Sequence, residues 1–152
     1  WGLEGELQAE PVDGLLIDAS ASFLDFKFGE PFIATGEVVE GASRPGIGDF
    51  KWSAGIQYRI PIGEGSLTPR FDVAYTPGYC GNLACTPISS NSAYTLANAR
   101  LTYRAPDNDW SIALEATNLF DKLYYINKFV STYATGQPGR PREVAVTLRK
   151  NF

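Results

Sequence analysis

The sequence predicts an all-β chain, an antiparallel segment of a transmembrane β-barrel with about seven strands. Three observations lead to this fold class. Apolar and polar residues alternate with a period of two from end to end, as β-strands require. The connections alternate between tight turns and long loops. Charged residues collect on one face of the predicted strands, because neighbours along a strand point to opposite faces.

The predicted strands cover roughly 2–10, 14–28, 49–60, 66–76, 94–104, 109–118 and 142–152. The links PVDG, PIGEG and APDND between them are short and rich in turn-forming residues. The remaining links, 29–48, 77–93 and 119–141, are long and rich in Gly, Pro, Ser and Thr. A compact soluble domain seldom has three loops longer than ~15 residues, whereas a membrane barrel has short turns at one end and long loops at the other.

Sorting the strand residues by parity separates an apolar face from a charged face. The apolar face contains Leu3, Leu7, Leu15, Ile17, Ala19, Phe23, Phe50, Trp52, Ile56, Tyr58, Leu67, Phe71, Val73, Tyr75, Leu101, Tyr103, Trp110, Ile112, Leu114, Val144, Val146, Leu148 and Phe152, with one charge, Lys150. The charged face contains Glu4, Glu6, Asp18, Lys51, Arg59, Arg70, Asp72, Arg100, Glu115, Glu143 and Arg149. Alternation alone leaves open whether the apolar face is a soluble core or contacts lipid.

The aromatic residues favour lipid, because they fall in two belts near the strand ends, as at membrane interfaces. Tyr58, Tyr103, Trp110 and Phe152 lie toward the short turns, and Phe23, Phe50, Trp52 and Tyr75 lie toward the long loops. Ten strand residues tilted by ~40° rise about 26 Å, which matches a lipid-facing band. Pro69 cannot donate to a β-ladder, so a bulge is predicted there.

The composition argues against catalysis and nucleic-acid binding. The 152-residue chain has no histidine, which removes the commonest general base and imidazole metal ligand. We therefore expect no enzymatic activity, no bound metal ion and no cofactor. A net charge of -4 offers no broad cationic surface for nucleic acid. No apolar run reaches the ~18 residues that a membrane helix needs.

Cys80 and Cys85 lie in PGYCGNLACTP, a stretch with the composition of a loop tip. A pair so close in sequence favours a local disulfide, which would contribute on the order of 2 kcal/mol by loop closure. Two unpaired thiols are the alternative.

An odd strand count is unexpected, since complete single-chain bacterial barrels have even numbers of strands. The chain is therefore expected to be a piece of a larger barrel, or an eight-stranded barrel without its first strand.

The segment WSIALEATNLFDKLYY, the later GRPRE and the final VAVTLRKNF together resemble the C-terminal end of TonB-dependent outer-membrane receptors. The residues that match are Asn118, Leu119, Phe120, Asp121, Lys122 and Tyr124 in the first element, Arg140, Pro141 and Arg142 in the second, and Phe152 at the terminus. The resemblance is close over 94–152 and looser over the rest of the chain. We expect these residues to build the barrel rather than bind ligand.

The resemblance implies that residues 1–152 form the last part of a 22-stranded barrel in the outer membrane of a Gram-negative bacterium. It implies uptake of a scarce ligand, namely a siderophore-iron complex, cobalamin or a carbohydrate, driven by the TonB energy-transducing complex. The expected partners are membrane lipid and lipopolysaccharide, the rest of the barrel, an N-terminal plug that these residues do not contain, and the barrel-assembly machinery, which would read the last strand.

Ligand-contact candidates are the aromatic residues in or beside the long loops, Tyr79, Tyr94, Tyr124, Tyr125 and Tyr133, which could stack on an aromatic chelator or a sugar. Arg100 and Glu115 on adjacent strands are further candidates, or an ion pair of the barrel interior. Two other functions remain open: a small eight-stranded adhesin or structural barrel, and a soluble β-barrel carrier whose apolar face points inward.

Overall fold

A computed structural model describes residues 1–30, 32–34, 37–39, 48–83, 85–130 and 132–151. The strands are β1 (Gly2–Val12), β2 (Leu15–Leu24), β3 (Phe32–Ala34), β4 (Glu37–Val39), β5 (Phe50–Tyr58), β6 (Ile60–Ile62), β7 (Gly65–Thr76), β8 (Tyr79–Cys80), β9 (Ser90–Asn91), β10 (Tyr94–Arg104), β11 (Trp110–Thr117), β12 (Tyr125–Val130), β13 (Ala134–Pro138) and β14 (Glu143–Lys150). A single 3₁₀ turn, Pro106–Asn108, precedes β11. Over these ranges, no helix is long and apolar enough to cross a membrane.

The long strands form one antiparallel sheet in the order β1-β2-β5-β7-β10-β11-β14, with β6 also paired to β7. We call this the wall sheet. Each strand pairs with the next long strand along the chain, whether a short turn or a long loop joins the two. Across the described ranges, β1 and β14 each pair on one side only, so the sheet is open at both edges. The predicted all-β fold, a segment of a larger antiparallel barrel, is confirmed.

Turn chemistry fixes the register of the first hairpin. Gly14 has φ of 78°, a left-handed conformation that glycine adopts without steric cost. Its N–H donates to Glu10 Oε1 at 3.1 Å, and its carbonyl accepts from Arg59 N at 2.8 Å. The register between β1 and β2 shifts between Ala9 and Val12, so this hairpin contains a bulge next to its turn.

The bulge predicted at Pro69 is wrong. The register between β7 and β10 runs unbroken through Pro69, which lies opposite Leu101. On the other side of β7, pairing with β5 stops at Gln57 and resumes at Ile60 in β6 without a change of register. Because proline has no N–H to donate, it leaves a gap in the ladder and no residue is inserted.

The apolar face of the wall sheet is open rather than packed. Leu3 is 70% exposed, Leu114 is 50% exposed and Leu148 is 71% exposed. The buried apolar residues of the described chain are three alanines, Ala97, Ala105 and Ala113. A soluble barrel would bury its large apolar side chains. This exposed apolar surface is instead typical of a face that contacts an apolar medium outside the chain.

Aromatic contacts lie near both ends of the apolar face. Tyr103 and Trp110 are 5.4 Å apart between ring centroids at the short-turn end. Trp52 and Tyr75 stack at 6.3 Å toward the long loops, where Trp1 also contacts Phe23 at 5.1 Å. The lone charge on this face, Lys150, forms an ion pair with Asp109 in the turn before β11. Its ammonium group thereby reaches the end of the sheet, as a snorkelling lysine does.

The long connections contain short hairpins that the sequence pattern did not predict, namely β3–β4, β8–β9 and β12–β13. The second wall strand also ends earlier than predicted, at Leu24 rather than residue 28. Its end is fixed by the bonds Leu24 N to Asp49 O and Asp25 N to Trp1 O, at 2.8 and 2.9 Å. Phe152, the predicted terminal aromatic of the last belt, lies outside the described residues.

Candidate functional site

Ionic contacts on the charged face of the wall sheet centre on Arg70. Its guanidinium binds Asp72 through two nitrogens, Nε to Oδ2 at 3.0 Å and Nη2 to Oδ1 at 2.5 Å. Nη2 also lies 3.0 Å from Asp18 Oδ1, and Nη1 donates to Gln57 Oε1 at 3.4 Å. The Asp18–Arg70–Asp72 triad joins β2 to β7 across β5, and Gln57 adds a contact from β5 itself.

A glycine makes the triad possible. Gly55 on β5 is the register partner of Asp18 on one side and Asp72 on the other. A Cβ at this position would lie 2.5 Å from Arg70 Nη2 and 2.7 Å from an oxygen of each carboxylate. The missing side chain therefore leaves the space in which the guanidinium bridges the two acids.

Arg100 and Glu115 face each other on β10 and β11, with Nη2 3.3 Å from Oε1. Arg100 Nε also donates to Thr102 Oγ1 at 3.2 Å. Both side chains are therefore engaged with the wall sheet.

The loop tyrosines form a cluster beyond the long-loop end of β10. The rings of Tyr94 and Tyr124 are 4.5 Å apart, and the ammonium of Lys128 lies 4.7 Å from the ring centre of Tyr125. Tyr94, Tyr124, Tyr125 and Lys128 line a small cavity of about 280 Å³ together with Lys122. We call this the tyrosine cavity. Its aromatic faces and two lysines suit an anionic aromatic ligand.

The other two loop tyrosines differ from this cluster. The phenol of Tyr79 donates to the carbonyl of Ile126, which ties β8 to β12. Burial, with a further contribution from Tyr94, raises the pKa of the Tyr79 phenol. Tyr133 is 79% exposed, and it makes no ring contact or hydrogen bond within the described part of the chain.

The β8–β9 loop is closed covalently and by hydrogen bonds. A disulfide joins Cys80 and Cys85, whose Cα atoms are 5.0 Å apart. Asn82 Oδ1 accepts from Cys85 N at 3.1 Å and from Ser89 Oγ at 2.8 Å. Asn91 is only 1% exposed, and its amide has no hydrogen-bond partner among the described residues. Over the same residues, no group of three or more His, Cys, Asp or Glu is placed to hold a metal ion.

Asn118 forms a joint between β11 and the segment before β14. The residue is 5% exposed and has φ of 46°, a left-handed conformation that asparagine tolerates. Its Nδ2 donates to the carbonyls of Lys122 and Arg140 at 2.9 and 3.1 Å, and its Oδ1 accepts from Lys122 N at 2.8 Å. Its own N–H donates to Asn98 Oδ1 at 3.0 Å.

The rest of this segment extends the joint. Asp121, at φ of 52°, accepts from Arg142 N at 2.9 Å, and Leu119 N donates to Ala97 O at 2.7 Å. Phe120 is 75% exposed. The ring of Tyr124 covers Gly139, where any Cβ would collide with it. Arg140 forms an ion pair with Glu143, the first residue of β14, at 3.7 Å. Pro141 and Arg142 lie between the two and lead into β14.

The proteins similar to this chain include receptors for ferric siderophores. The chain matches no family model. It is 30% identical to the ferric-pyoverdine M114 receptor PbuA of Pseudomonas sp. (strain M114), over 99% of the chain and 18% of that protein. Its structure superposes on the ferric yersiniabactin uptake receptor FyuA from Yersinia pestis with a TM-score of 0.80, at 18% identity over 99% of the chain and 23% of FyuA. For the siderophore receptor PiuA from Acinetobacter baumannii the TM-score is 0.75, at 23% identity over 97% of the chain and 20% of PiuA.

The curated relative and the structural neighbours support membership of the TonB-dependent receptor family, as part of its C-terminal barrel. The chain spans about a fifth of the length of the relatives it matches, in agreement with an open sheet that is a segment of a larger barrel. The relatives are receptors of the Gram-negative outer membrane. The relatives are receptors rather than enzymes. The charged face of the wall sheet is the lumenal face of this receptor segment, and the apolar face is its exterior.

The structure brings some predicted residues together and leaves others apart. Tyr94, Tyr124 and Tyr125 share one cavity, whereas Tyr133 is separate from it. The Asp18–Arg70–Asp72 triad and the buried Asn91 were not predicted as sites. The triad carries a signal in the sequence, since all three residues share the charged parity of the predicted strands. Asn91 carries none.

Proposed function

We propose that this chain is the C-terminal part of the barrel of an outer-membrane receptor that imports a ferric siderophore. Residues 1–152 would supply barrel wall and outer loops, and a plug would lie in another part of the longer polypeptide. The observation that carries the proposal is the exposed apolar exterior opposite a charged, ion-paired lumenal face. The similarity to a ferric-pyoverdine receptor favours siderophore-iron over cobalamin or carbohydrate.

The partners of such a receptor follow from its surfaces. Lipid would contact the apolar exterior, and lipopolysaccharide would contact the belt nearest the long loops. The barrel-assembly machinery would engage β14, and the TonB energy-transducing complex would act through the plug. The chain itself would have no catalytic role, since it has no histidine to serve as a general base.

Ligand contact is proposed for the tyrosine cavity. Tyr94, Tyr124 and Tyr125 present aromatic faces beside Lys122 and Lys128, which suits a negatively charged ferric chelate. Tyr79 and Tyr133 would contribute as neighbouring loop residues. Arg100 and Glu115 would support the wall, since each already pairs with the other.

The remaining members of the family motif are proposed to build the wall. Asn118, Asp121 and their partners hold the end of β11 against the start of β14. Leu119, Phe120 and Lys122 position this joint at the outer interface, and Arg140, Pro141 and Arg142 lead into the last strand.

Uptake by the full-length receptor tests the proposal. A strain that lacks the receptor gene would be grown under iron limitation, with the full-length gene restored on a plasmid, and uptake of radioactive iron as ferric pyoverdine or ferric yersiniabactin would be measured. We expect energy-dependent iron uptake with one of these complexes. Uptake of cobalamin or an oligosaccharide, with no iron uptake from either complex, would contradict the siderophore assignment.

A further inference from the structure

The β8–β9 hairpin lies against β12 and makes three contacts with it. The phenol of Tyr79 donates to the carbonyl of Ile126. Gly81 lies where any Cβ would collide with the carbonyl of Lys128. The ammonium of Lys128 in turn donates to the carbonyl of Ser90 at 3.4 Å. Carbonyls two residues apart in a strand point to the same edge, so the hairpin packs along one edge of β12.

The Cys80–Cys85 disulfide closes the loop that makes these contacts. Cys80 lies between Tyr79 and Gly81 in the chain, and it is the register partner of Ser90. All three contacts with β12 therefore come from residues that are bonded to Cys80 or paired with it. β8 and β9 have two residues each, and a two-stranded hairpin is only marginally stable by itself. The cross-link therefore limits the conformational freedom of a hairpin that has few contacts of its own.

Lys128 is the cation of the tyrosine cavity that the hairpin holds in place. Its half-buried side chain extends between the Ser90 carbonyl and the ring of Tyr125, whose centre lies 4.7 Å from the ammonium. None of the ion pairs among the described residues includes Lys128. Ordering a lysine side chain costs conformational entropy. A lysine that is already ordered and has no carboxylate partner can bind an anion without that cost.

The size of the tyrosine cavity indicates what binds beside Lys128. The cavity has a volume of about 280 Å³. A cavity of about 150 Å³ is enough for one benzene molecule, so this one has room for a single aromatic ring with polar substituents. The rings of Tyr94 and Tyr124, 4.5 Å apart, supply aromatic surface for it. The expected occupant is one anionic aryl group of a larger ligand.

We propose that the disulfide-closed β8–β9 hairpin positions Lys128, and that the tyrosine cavity thereby prefers an anionic aryl group over a neutral one. The inference rests on the proposed function, in which this cavity contacts the ligand. Cys80 and Cys85 are not among the residues that line the cavity, so they are positioning residues that act through Lys128.

A matched pair of small probes tests this inference in the full-length receptor. Benzoate carries a carboxylate at neutral pH, whereas benzamide has the same ring and no charge. Dissociation constants of both would be measured by ligand-observed NMR titration of the receptor in a non-ionic detergent. We expect benzoate to bind the wild-type receptor roughly three-fold or more tightly than benzamide, because the ammonium of Lys128 attracts the carboxylate. Equal affinities, or no saturable binding of benzoate, would overturn the inference.

Releasing the hairpin should remove the preference. In a receptor with Cys80→Ser and Cys85→Ser, the affinity for benzoate is expected to fall roughly three- to ten-fold, because each binding event must then order Lys128. The affinity for benzamide should change by less than about two-fold.

A glycine substitution tests the same contact with the disulfide intact. Gly81→Ala pushes the hairpin away from β12 and should also lower the affinity for benzoate. Gly29→Ala is the control, since a Cβ there would meet no atom within 4 Å. Unchanged selectivity in either the cysteine variant or the Gly81 variant would defeat the proposal.

A double-mutant cycle shows whether the hairpin acts through Lys128. Lys128→Gln removes the charge and should lower the affinity for benzoate by itself. In the Lys128→Gln receptor, the two cysteine substitutions are expected to cause no further loss, since the group that they position is absent. An equal loss in both backgrounds would mean that the hairpin affects the cavity by another route, and the inference would be rejected.

The result is separable from the uptake assay. Iron uptake by the wild-type receptor, with unchanged benzoate selectivity in the cysteine variant, would reject the positioning role alone. A disulfide-dependent selectivity for benzoate without uptake of either siderophore complex would reject the ligand assignment alone.

Discussion

At the scale of single residues, Asn118 does more for the barrel than its position in a loop suggests. One side chain satisfies the carbonyl and N–H of Lys122 and the carbonyl of Arg140, which lie on either side of the β12–β13 hairpin. Its left-handed backbone also suits asparagine better than most residues. The motif NLFD is therefore explained as a structural joint, with Asp121 as its second anchor.

Replacing this residue should weaken the fold. Asn118→Ala in the full-length receptor is expected to lower the free energy of unfolding by about 1–3 kcal/mol, because backbone groups lose partners and alanine is strained at this φ. Urea unfolding of the folded receptor in detergent measures the change. Gln137→Ala, an exposed residue of β13, is the control and should change stability by less than about 0.5 kcal/mol. Equal stability of the two variants would contradict the role given to Asn118.

The lumenal triad gives a second prediction at this scale. Arg70→Gln leaves Asp18 and Asp72 on either side of Gly55 without their shared cation. The loss should be about 1 kcal/mol, since all three side chains are partly exposed to solvent. Adding Asp72→Asn should recover part of this loss, because it removes the repulsion between the two acids. A double variant less stable than Arg70→Gln would contradict this account.

At the scale of elements, the two faces of each wall strand place their residues in different environments, lipid on the exterior and water in the lumen. Ile56 lies on the exterior of β5 and is 46% exposed, whereas Ser53 lies on the lumenal face and contacts Ser20 at 2.9 Å. A charge near the middle of the exterior must enter hydrocarbon, while a charge in the lumen stays in water.

Lysine substitutions on β5 should therefore differ sharply. Ile56→Lys is expected to destabilise the folded receptor in lipid by about 2–4 kcal/mol, and Ser53→Lys should cost less than about 1 kcal/mol. Reversible unfolding of the full-length receptor into lipid vesicles measures both values. A larger loss for Ser53→Lys would mean that the faces are assigned the wrong way round.

The wall strands could be predicted from sequence because alternation and short turns are local signals. β7, β10 and β11 begin and end within two residues of the predicted bounds. The hairpins β8–β9 and β12–β13 could not be predicted, since they are short and fixed by contacts with distant residues, such as the bond from Tyr79 to Ile126. The left-handed backbone at Asn118 likewise depends on Arg140, which is distant in sequence.

The site was predictable to a smaller extent. Arg100 and Glu115 lie on adjacent strands of one hairpin, so their pairing follows from the turn between them. The grouping of Tyr94 with Tyr124 and the separation of Tyr133 depend on how the loops fold, which alternation does not describe. The convergence of Arg59, Arg104 and Arg149 on one cavity could not be recognised before the register of the strands was known.

At the scale of the whole molecule, the described chain has no large apolar core of its own. Its buried apolar residues are three alanines, while its exterior exposes leucine, isoleucine, valine and aromatic side chains. Such a sheet can be stable only when lipid covers one face and the remainder of the barrel pairs with β1 and β14.

The orientation of the wall is the central claim, and spin-label accessibility along β5 tests it most directly. Single cysteines at residues 51 to 58 of the full-length receptor in lipid vesicles would be spin-labelled, and collisions with oxygen and with a water-soluble nickel chelate would be measured. We predict a period of two, with labels at Trp52, Ala54 and Ile56 accessible to oxygen, and labels at Lys51, Ser53 and Gln57 accessible to the chelate. The opposite phase, or no alternation, would contradict the account.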